Sequence, residues 1–350
     1  SGARRLRTKP KRMPDNKAGG TMDPKKRAIL DAALEEHNKK YKGAEATFQD
    51  PEHAVNVEYI PTGCLSLDWV LGKGLPRGRI VEIFGQESGG KTTLALFIAS
   101  CVQKAGGIVA LIDAEHAYTQ EYTAALGVNC DNLILKQPFT GEEAFNLMND
   151  LIKTEVVDLI VVDSVPALVP DNERESDIED RQMSELARLM GRGMRMITGP
   201  LSKTKTTVIF LNQLRAAMPK GGYGPMETTP GGKALKFFAS IRLQTKTLKT
   251  LRDSKEDAYG TIMGVEAIKN KLAPPKRTCE LQLMFGKGLH VPADVLEMAL
   301  LDGTVFKEGN TFKYTNSKGD DVSLGVGKEK AIESLAASED YEYIRSLVAK

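Results

Sequence analysis

Residues 79–92 read RIVEIFGQESGGKT, an apolar strand-like run that passes straight into a glycine-rich turn ending in Gly-Gly-Lys-Thr. The pattern GxxxxGK[ST] falls on Gly85, Gln86, Glu87, Ser88, Gly89, Gly90, Lys91 and Thr92, with a strand signal before it and a helix signal after it. Those flanks make the pattern a phosphate-binding loop rather than an ordinary Gly-rich turn. Glycines let the backbone wrap closely, so that successive N–H groups and a helix N-terminus face phosphates. Lys91 supplies a cation for the β- and γ-phosphates of ATP, and the Thr92 hydroxyl offers a ligand to Mg²⁺.

Outward from this stretch, apolar runs alternate with helical segments. The runs are 79–84, 108–112, 132–136, 158–163 and 206–212, and helical spacing falls from Thr92 to about Lys104, over 141–153 and over 181–200. Near-continuous Val/Ile runs indicate strands buried on both faces, hence an α/β fold with a mainly parallel sheet covered by helices. Runs at 238–247, 262–269 and 278–284 follow one another without long helices, so the sheet is expected to end in an antiparallel portion. Helices at 293–301 and 328–348 around a short β-like stretch predict a small C-terminal lobe. Residues 24–42 set Ile29, Leu30, Ala33 and Leu34 at helical spacing, a short amphipathic helix that packs on its own core or docks on a neighbouring subunit.

The composition of the 350 residues, 41% hydrophobic and 27% charged, is that of a globular protein. No apolar run approaches the roughly 20 residues of a membrane helix, so a soluble, cytoplasmic protein without a membrane partner is expected. Cys64, Cys101, Cys130 and Cys279 lie too far apart for a zinc cluster or disulfide framework and read as free thiols. A net charge of +2 is too small to argue for nucleic acid, but residues 1–20 hold seven Lys/Arg (Arg4, Arg5, Arg7, Lys9, Lys11, Arg12 and Lys17) against Asp15 alone. Such a stretch reads as a disordered tail, either merely solvated or attracted to polyanions.

Three polar residues at strand ends extend the phosphate loop into a site. Asp163 closes DLIVVD, where P-loop enzymes keep an acidic Mg²⁺ partner, although alone it serves equally as a turn residue. Glu115, in LIDAEHA, follows another buried strand and can polarise a water for attack on the γ-phosphate; a surface acid at a helix start is the alternative. Gln213 ends TTVIFLNQ, a neutral amide able to sense the γ-phosphate and pass its position to residues 214–232. That segment, LRAAMPKGGYGPMETTPGG, is unusually rich in Gly and Pro, and long loops of this kind are functional or disordered.

Taken together, these stretches resemble the bacterial RecA-type recombinases. The likeness runs from about Tyr59 to Leu289 and is carried by GRIVEIFGQESGGKTTLAL, LIDAEHA, VDLIVVDSVPAL, IFLNQLR, ETTPGGKALKFFASIRL and AIKNKLAPP. The resemblance implies a RecA-type P-loop ATPase core with a mainly parallel central sheet, an N-terminal helix and a small C-terminal α/β lobe. The expected boundaries are 1–22 for the basic tail, 23–55 for an oligomerisation helix and linker, 56–290 for the core and 291–350 for the lobe. The implied activity is ATP-dependent pairing and exchange of single-stranded with double-stranded DNA by a homo-oligomeric helical filament, with ATP hydrolysed at protomer interfaces.

Residue by residue, the resemblance implies that Gly85 to Thr92, with Thr93, cradle ATP, that Thr92 and Asp163 hold Mg²⁺, and that Glu115 activates water. Tyr122 matches the residue that stacks on adenine, and Gln213 the γ-phosphate sensor. Lys269 and Lys271, in KNK, resemble a pair that reaches the neighbouring protomer's ATP, and Phe237 an interface residue that couples ATP to assembly. Two DNA-facing loops fall at 173–183 and 214–229, with Met183 and Met218 against bases. Arg188, Arg195, Gly231 and Gly232 fall at phosphate contacts, which bind without sequence preference, and Arg215 is a further DNA-binding candidate.

Departures from the family pattern are specific. The first loop, ERESDIEDRQM, lacks the usual glycines and alone reads as a solvated acidic loop; the second has one extra residue and Met218 in place of a branched aliphatic. Thr119 replaces an adenine-contacting acid, and Gly191 a phosphate-contacting serine. Gly264 and Glu266 replace two cations of a secondary DNA site, Glu266 adding a repelling charge, while Lys246, Lys249, Arg252 and Lys255 lie nearby as substitutes. Together with the basic N-terminal stretch and a last residue, Lys350, not preceded by an acidic tail, these departures fit a divergent or phage-encoded member, or equally a chain whose tail has been trimmed. A ring-forming motor of the same fold and an ATP-binding scaffold without turnover are the rival readings. KNK and ETTPGG argue against the first; intact Glu115, Lys91 and Asp163 argue against the second.

Overall fold

The computed structural model describes residues 23–41, 46, 57–172, 183–216 and 227–349. The expected tail 1–22, loop residues 173–182 and 217–226, and with them Met218, lie outside the described residues, and Met183 is described by its backbone alone. The chain forms two compact units, residues 1–56 and 57–350.

In the first unit a helix, α1, spans Pro24–Lys40 and ends two residues before the expected boundary, because Tyr41 adopts an extended conformation. The Asp23 carboxylate accepts from Lys25 N at 2.9 Å, Pro24 opens the first turn, and His37, Lys39 and Lys40 face the C-terminal dipole. The helix buries none of its residues, so Ile29 and Leu30 stay exposed.

The second unit opens with a two-stranded pair, β1 (Tyr59–Ile60) and β2 (Leu75–Pro76), around α2 (Leu65–Leu71). Then follow β3 (Ile80–Gly85), α3 (Lys91–Lys104), β4 (Val109–Asp113), α4 (Gln120–Ala125), β5 (Leu133–Lys136), α5 (Gly141–Lys153), β6 (Leu159–Asp163), a helix over Met183–Leu201, and β7 (Thr207–Gln213). A small pair, β8 (Arg215–Ala216) and β9 (Glu227–Thr228), and a short helix over Ala234–Phe238 precede the long strands β10 (Ile241–Arg252) and β11 (Ala258–Asn270). β12 (Thr278–Met284) and β13 (Gly288–Leu289) complete a nine-stranded sheet of order β13-β12-β11-β10-β3-β7-β6-β4-β5.

From β10 to β5 every neighbouring pair is parallel; β11, β12 and β13 add the antiparallel portion. One face packs Ile83, Leu94, Ile98, Met263 and Leu281 beneath α2 and α3, and the other packs Phe145, Met148, Ile160, Met194 and Phe210 beneath α5 and the Met183–Leu201 helix. Of the five apolar runs expected as strands buried on both faces, only the one that forms β5 is not. As the last strand of the sheet it leaves Ile134 and Leu135 partly exposed. The strand expected at 238–247 starts instead at Ile241, after the helical turn Ala234–Phe238. Among the described residues no helix is long and apolar enough to cross a membrane.

Residues from Val291 onward pack a helix over Val291–Asp302, a three-stranded antiparallel sheet of β14 (Val305–Glu308), β15 (Thr311–Thr315) and β16 (Asp321–Val326), and two further helices around Leu296, Phe312, Tyr314, Ile332 and Ile344. The single helix expected over 328–348 is broken into Lys328–Ala336 and Tyr341–Val348. Ser338 Oγ accepts from Asp340 N at 3.1 Å and Asp340 accepts the Tyr314 hydroxyl at 2.7 Å, local polar bonds that compete with helix continuation.

A buried carboxylate ties this part to α2, beside the apolar packing of Leu65 on its core. Asp294 accepts from Leu65 N at 2.6 Å, from Ser66 N at 3.2 Å and from Ser66 Oγ. It thereby caps α2, whose own N-cap residue Cys64 makes no side-chain cap bond. Burial pushes the Asp294 carboxyl up, against the pull of these donors. Asp294→Ala is expected to leave buried donors unsatisfied and to cost roughly 2–3 kcal/mol, with Asp294→Asn costing less, as read from urea denaturation.

Candidate functional site

The register of the parallel strands builds the site. Gly85 pairs with Gln213 across β3 and β7, and Asp113 pairs with Asp163 across β4 and β6, so four strand ends reach one sheet edge. The glycine loop leaves that edge under tight packing. A Cβ on Gly85 would lie 2.4 Å from Thr245 Oγ1, and one on Gly90, which sits at φ 78°, would lie 2.7 Å from a Leu283 methyl. No other residue fits either place without displacing β10 or β12.

Lys91 opens α3 and folds its side chain back over the loop, donating to the Gln86 carbonyl at 2.7 Å and the Gly85 carbonyl at 3.4 Å. Burial pulls its ammonium down, and the nearby carboxylates of Asp163, Glu115 and Glu87 resist. The Thr92 hydroxyl donates to Asp163 Oδ2 at 2.6 Å. Burial pushes the Asp163 carboxyl up to about 6, reinforced by Glu115 and Asp113 and opposed by the Thr92 bond and Lys91. The Tyr122 hydroxyl meets Thr93 Oγ1 at 2.6 Å, and its ring is 39% exposed, an open aromatic beside the loop.

Glu115 is held from two sides. Its backbone N and that of Ala114 donate to the Asp163 carbonyl at 3.2 and 2.7 Å, which pins the turn after β4 to the end of β6. Its Oε1 accepts from Gln213 Nε2 at 3.3 Å and from Ser164 Oγ. Glu115, Gln213, Asp163, Lys91 and Thr92 therefore form one cluster. Ser164 and Asp113 belong to it and were missed from sequence. Asp113, 4% exposed, accepts from Ala117 N, Tyr118 N and Gln137 Nε2 and so shapes the turn that carries Glu115. The signal for Asp113 was a carboxylate ending the buried run of LIDAEHA; Ser164 had none beyond following Asp163.

A second polar network runs beneath. Glu82, fully buried in β3, accepts from Asn212 Nδ2 at 3.0 Å and from Arg242 Nε. The Asn212 amide also reaches the Pro230 carbonyl at 3.3 Å, beside Gly231 and Gly232, both at positive φ. Because Asn212 directly precedes Gln213, one strand end touches both the Glu115 cluster and the Gly231–Gly232 turn. A charged residue inside RIVEIF was the readable sign of this network.

The remaining candidates lie elsewhere. Arg188, in an i,i+3 pair with Glu185 at 3.7 Å, and Arg195 project from the exposed face of the Met183–Leu201 helix. Arg215 is exposed on β8, opposite Thr228. Lys246 and Lys249 face Gly264 and Ile262; although three residues apart, they share one side of the hairpin because Leu248 is an extra residue in the register, packed over Gly264. Glu266 does not act as the free repelling charge expected there, since Lys276 pairs with it at 3.3 Å.

Lys269 Nζ donates to the carbonyls of Lys236 and Phe237 at 2.8 and 3.0 Å, and burial, then the Lys271 and Arg242 charges, pulls it down. It pairs with Arg242, which pairs with Glu82, so it sits three residues, roughly 10 Å, short of Gly85 along the sheet. With Lys271 it lies toward the edge opposite the phosphate loop, where Lys271 and the 69% exposed Phe237 line a groove of about 540 Å³. Among the described residues no group of three His, Cys, Asp or Glu is arranged to hold a metal by itself.

A strand, a glycine loop and a helix carrying Lys91 and Thr92, backed by Asp163 and by a carboxylate–amide pair on adjacent strands, define a P-loop ATPase. The family model described as the RecA N-terminal domain matches residues 28–290. Protein RecA of Bifidobacterium breve is 44% identical over 326 residues, 93% of this chain and 81% of that protein, and Protein RecA of Thermus thermophilus is 45% identical over 317 residues, 90% and 91%. The RadB recombinase crystal structure shares the fold at a TM-score of 0.50 and 22% identity, over 66% of this chain and 98% of its own. The chain belongs to the RecA family and is an ATP-dependent DNA recombinase, a DNA-dependent ATPase with strand-exchange activity.

Asp163 gives a stability test that needs no substrate. With a folded value near 6, above that of the unfolded chain, its ionisation opposes folding as pH rises through about 6; below the unfolded value both states are protonated and the penalty vanishes. Without metal or nucleotide, Asp163→Asn should therefore melt above the parent protein above about pH 7, with the advantage shrinking to nothing toward about pH 4.

Proposed function

We propose that this chain works as a helical filament on single-stranded DNA, pairs it with double-stranded DNA, and hydrolyses ATP at sites shared between protomers. The observation that carries the catalytic part is the joint hold of Gln213 and Ser164 on Glu115, beside Lys91 and the Thr92–Asp163 pair. Residues Gly85 to Thr93 cradle the phosphates through backbone N–H groups, and Tyr122 stacks on the base. Glu115 orients a water in line with the γ-phosphorus and takes its proton as the bond to the β-phosphate oxygen breaks. A hydroxyl and a carboxylate 2.6 Å apart are oxygen donors of the kind Mg²⁺ takes, so Thr92 and Asp163 are the residues to hold it. Bound there, Mg²⁺ would neutralise charge on the β- and γ-phosphate oxygens.

Gln213 exchanges its bond to Glu115 for one to the γ-phosphate, and its neighbour Asn212 carries that shift to Pro230 and the Gly231–Gly232 turn. The primary DNA path uses Met183 and Met218 against bases and Arg188, Arg195, Arg215, Gly231 and Gly232 against phosphates. Lys246 and Lys249 serve the secondary site. The position of Lys269 and Lys271, away from their own phosphate loop, supports their reaching a neighbour's ATP, with Phe237 and α1 making the contact between protomers. Free thiols and the need for ATP and DNA support a cytoplasmic setting.

Glu115→Gln should keep ATP and DNA binding while DNA-stimulated phosphate release drops by about 10²-fold or more. Turnover at the parental rate removes Glu115 from the water-activating role. For the shared site, Lys91→Ala and Lys269→Ala/Lys271→Ala proteins, each inactive alone, should regain ATPase activity when mixed, because an intact composite site forms at some interfaces. Co-assembly without recovery at any ratio would place the two lysines outside it.

A further inference from the structure

We propose that Arg192 is a further phosphate contact of the primary DNA path, the third arginine beside Arg188 and Arg195 in one cationic trough; the inference rests on the single-stranded DNA reading above. The three arginines line a single cavity of about 580 Å³ along the Met183–Leu201 helix. Their spacing of four and three residues stacks them on one helix face, rising about 6 and 4.5 Å from one to the next. A guanidinium meets a phosphate through two parallel hydrogen bonds, so such a ladder suits successive charges of a phosphodiester chain.

Two glycines set this face. A Cβ on Gly193 would lie 2.4 Å from the Phe145 ring, so the helix seats its inner side directly on α5 and turns Arg192 outward. At Gly191 a Cβ would approach nothing nearer than Arg195 Nη1 at 3.8 Å, so the trough stays open between the arginines. The two carboxylates on its rim are engaged: Glu185 pairs with Arg188 at 3.7 Å, and Glu142 accepts from Asp171 N at 3.0 Å. Among the described residues, neither Arg192 nor Arg195 holds an ion pair. Among the described lining residues, three guanidiniums against two carboxylates leave a net positive charge of one, with two of the cations uncommitted.

The test is equilibrium binding of fluorescently labelled oligothymidylate to the full chain, with ATP and Mg²⁺, across a salt series. Arg192→Gln should flatten the log–log salt dependence by about 0.7, the value for one phosphate on a single strand, and weaken binding at low salt. Arg192→Lys, which keeps the charge, should restore the parental slope. Weakened binding with an unchanged slope, or a slope that Lys does not restore, assigns Arg192 a structural role and overturns the proposal. If Arg188→Gln flattens the slope and Arg192→Gln does not, Arg192 alone is excluded. Parental slopes for both Gln variants overturn the inference together with the DNA path on which it rests.

Discussion

Glu82 is a carboxylate without solvent exposure in the middle of β3, and it is tolerable only because Arg242 and Asn212 donate to it. Removing either partner would leave a buried charge or a buried lone pair short of donors, at a cost of several kcal/mol. The three residues come from β3, β10 and β7, the adjacent strands at the centre of the sheet. Their bonds form only in the observed register, which is the register that sets Gly85 beside both Gln213 and Thr245. The phosphate loop, the amide of Gln213 and the packing of β10 on the loop all inherit their positions from that alignment. The Arg242 guanidinium also lies 4.4 Å from the Phe84 ring, which holds it over the same strand.

What the sequence discloses and what it hides divide along the range of the interactions. The phosphate loop is written within eight residues whose roles are local, and Asp163 and Gln213 each close an apolar run while Glu115 follows one, so their common edge follows from parallel strands. Ser164 acts through Glu115, brought from the end of another strand, and Asp113 through Gln137 as well as its own turn, and no spacing announces either long-range partner. Arg192 reads as one more cation on a polar helix face until the packing of Gly193 on Phe145 fixes which way the face turns. Ile134 and Leu135 look buried because they are apolar; only the strand order reveals that β5 closes the sheet. The break at Ala337–Asp340 depends on Tyr314, more than twenty residues upstream.

The surface charges show the same limit. Glu266, counted alone, opposes a polyanion; with Lys276 against it the pair is close to neutral. The lysines at 246 and 249 have a spacing that would put them on opposite faces of a regular strand. The extra residue Leu248 restores them to one face, and the missing side chain of Gly264 gives Leu248 somewhere to rest. A loss of charge at position 264 is thus coupled to a bulge that aligns two other charges, a trade visible only across strands.

Asp294 lies 229 residues after the backbone N–H it caps at Leu65. During synthesis α2 emerges early, with Leu67, Val70 and Leu71 committed to the sheet face, yet the acceptor for its first turn is made only after all nine strands. Closing so long a loop is entropically slow, and partly built chains carry an uncapped helix end over an incomplete core. The cap of α2 is therefore completed only once synthesis has reached the Val291–Asp302 helix, so the start of one early helix waits on the start of a late one.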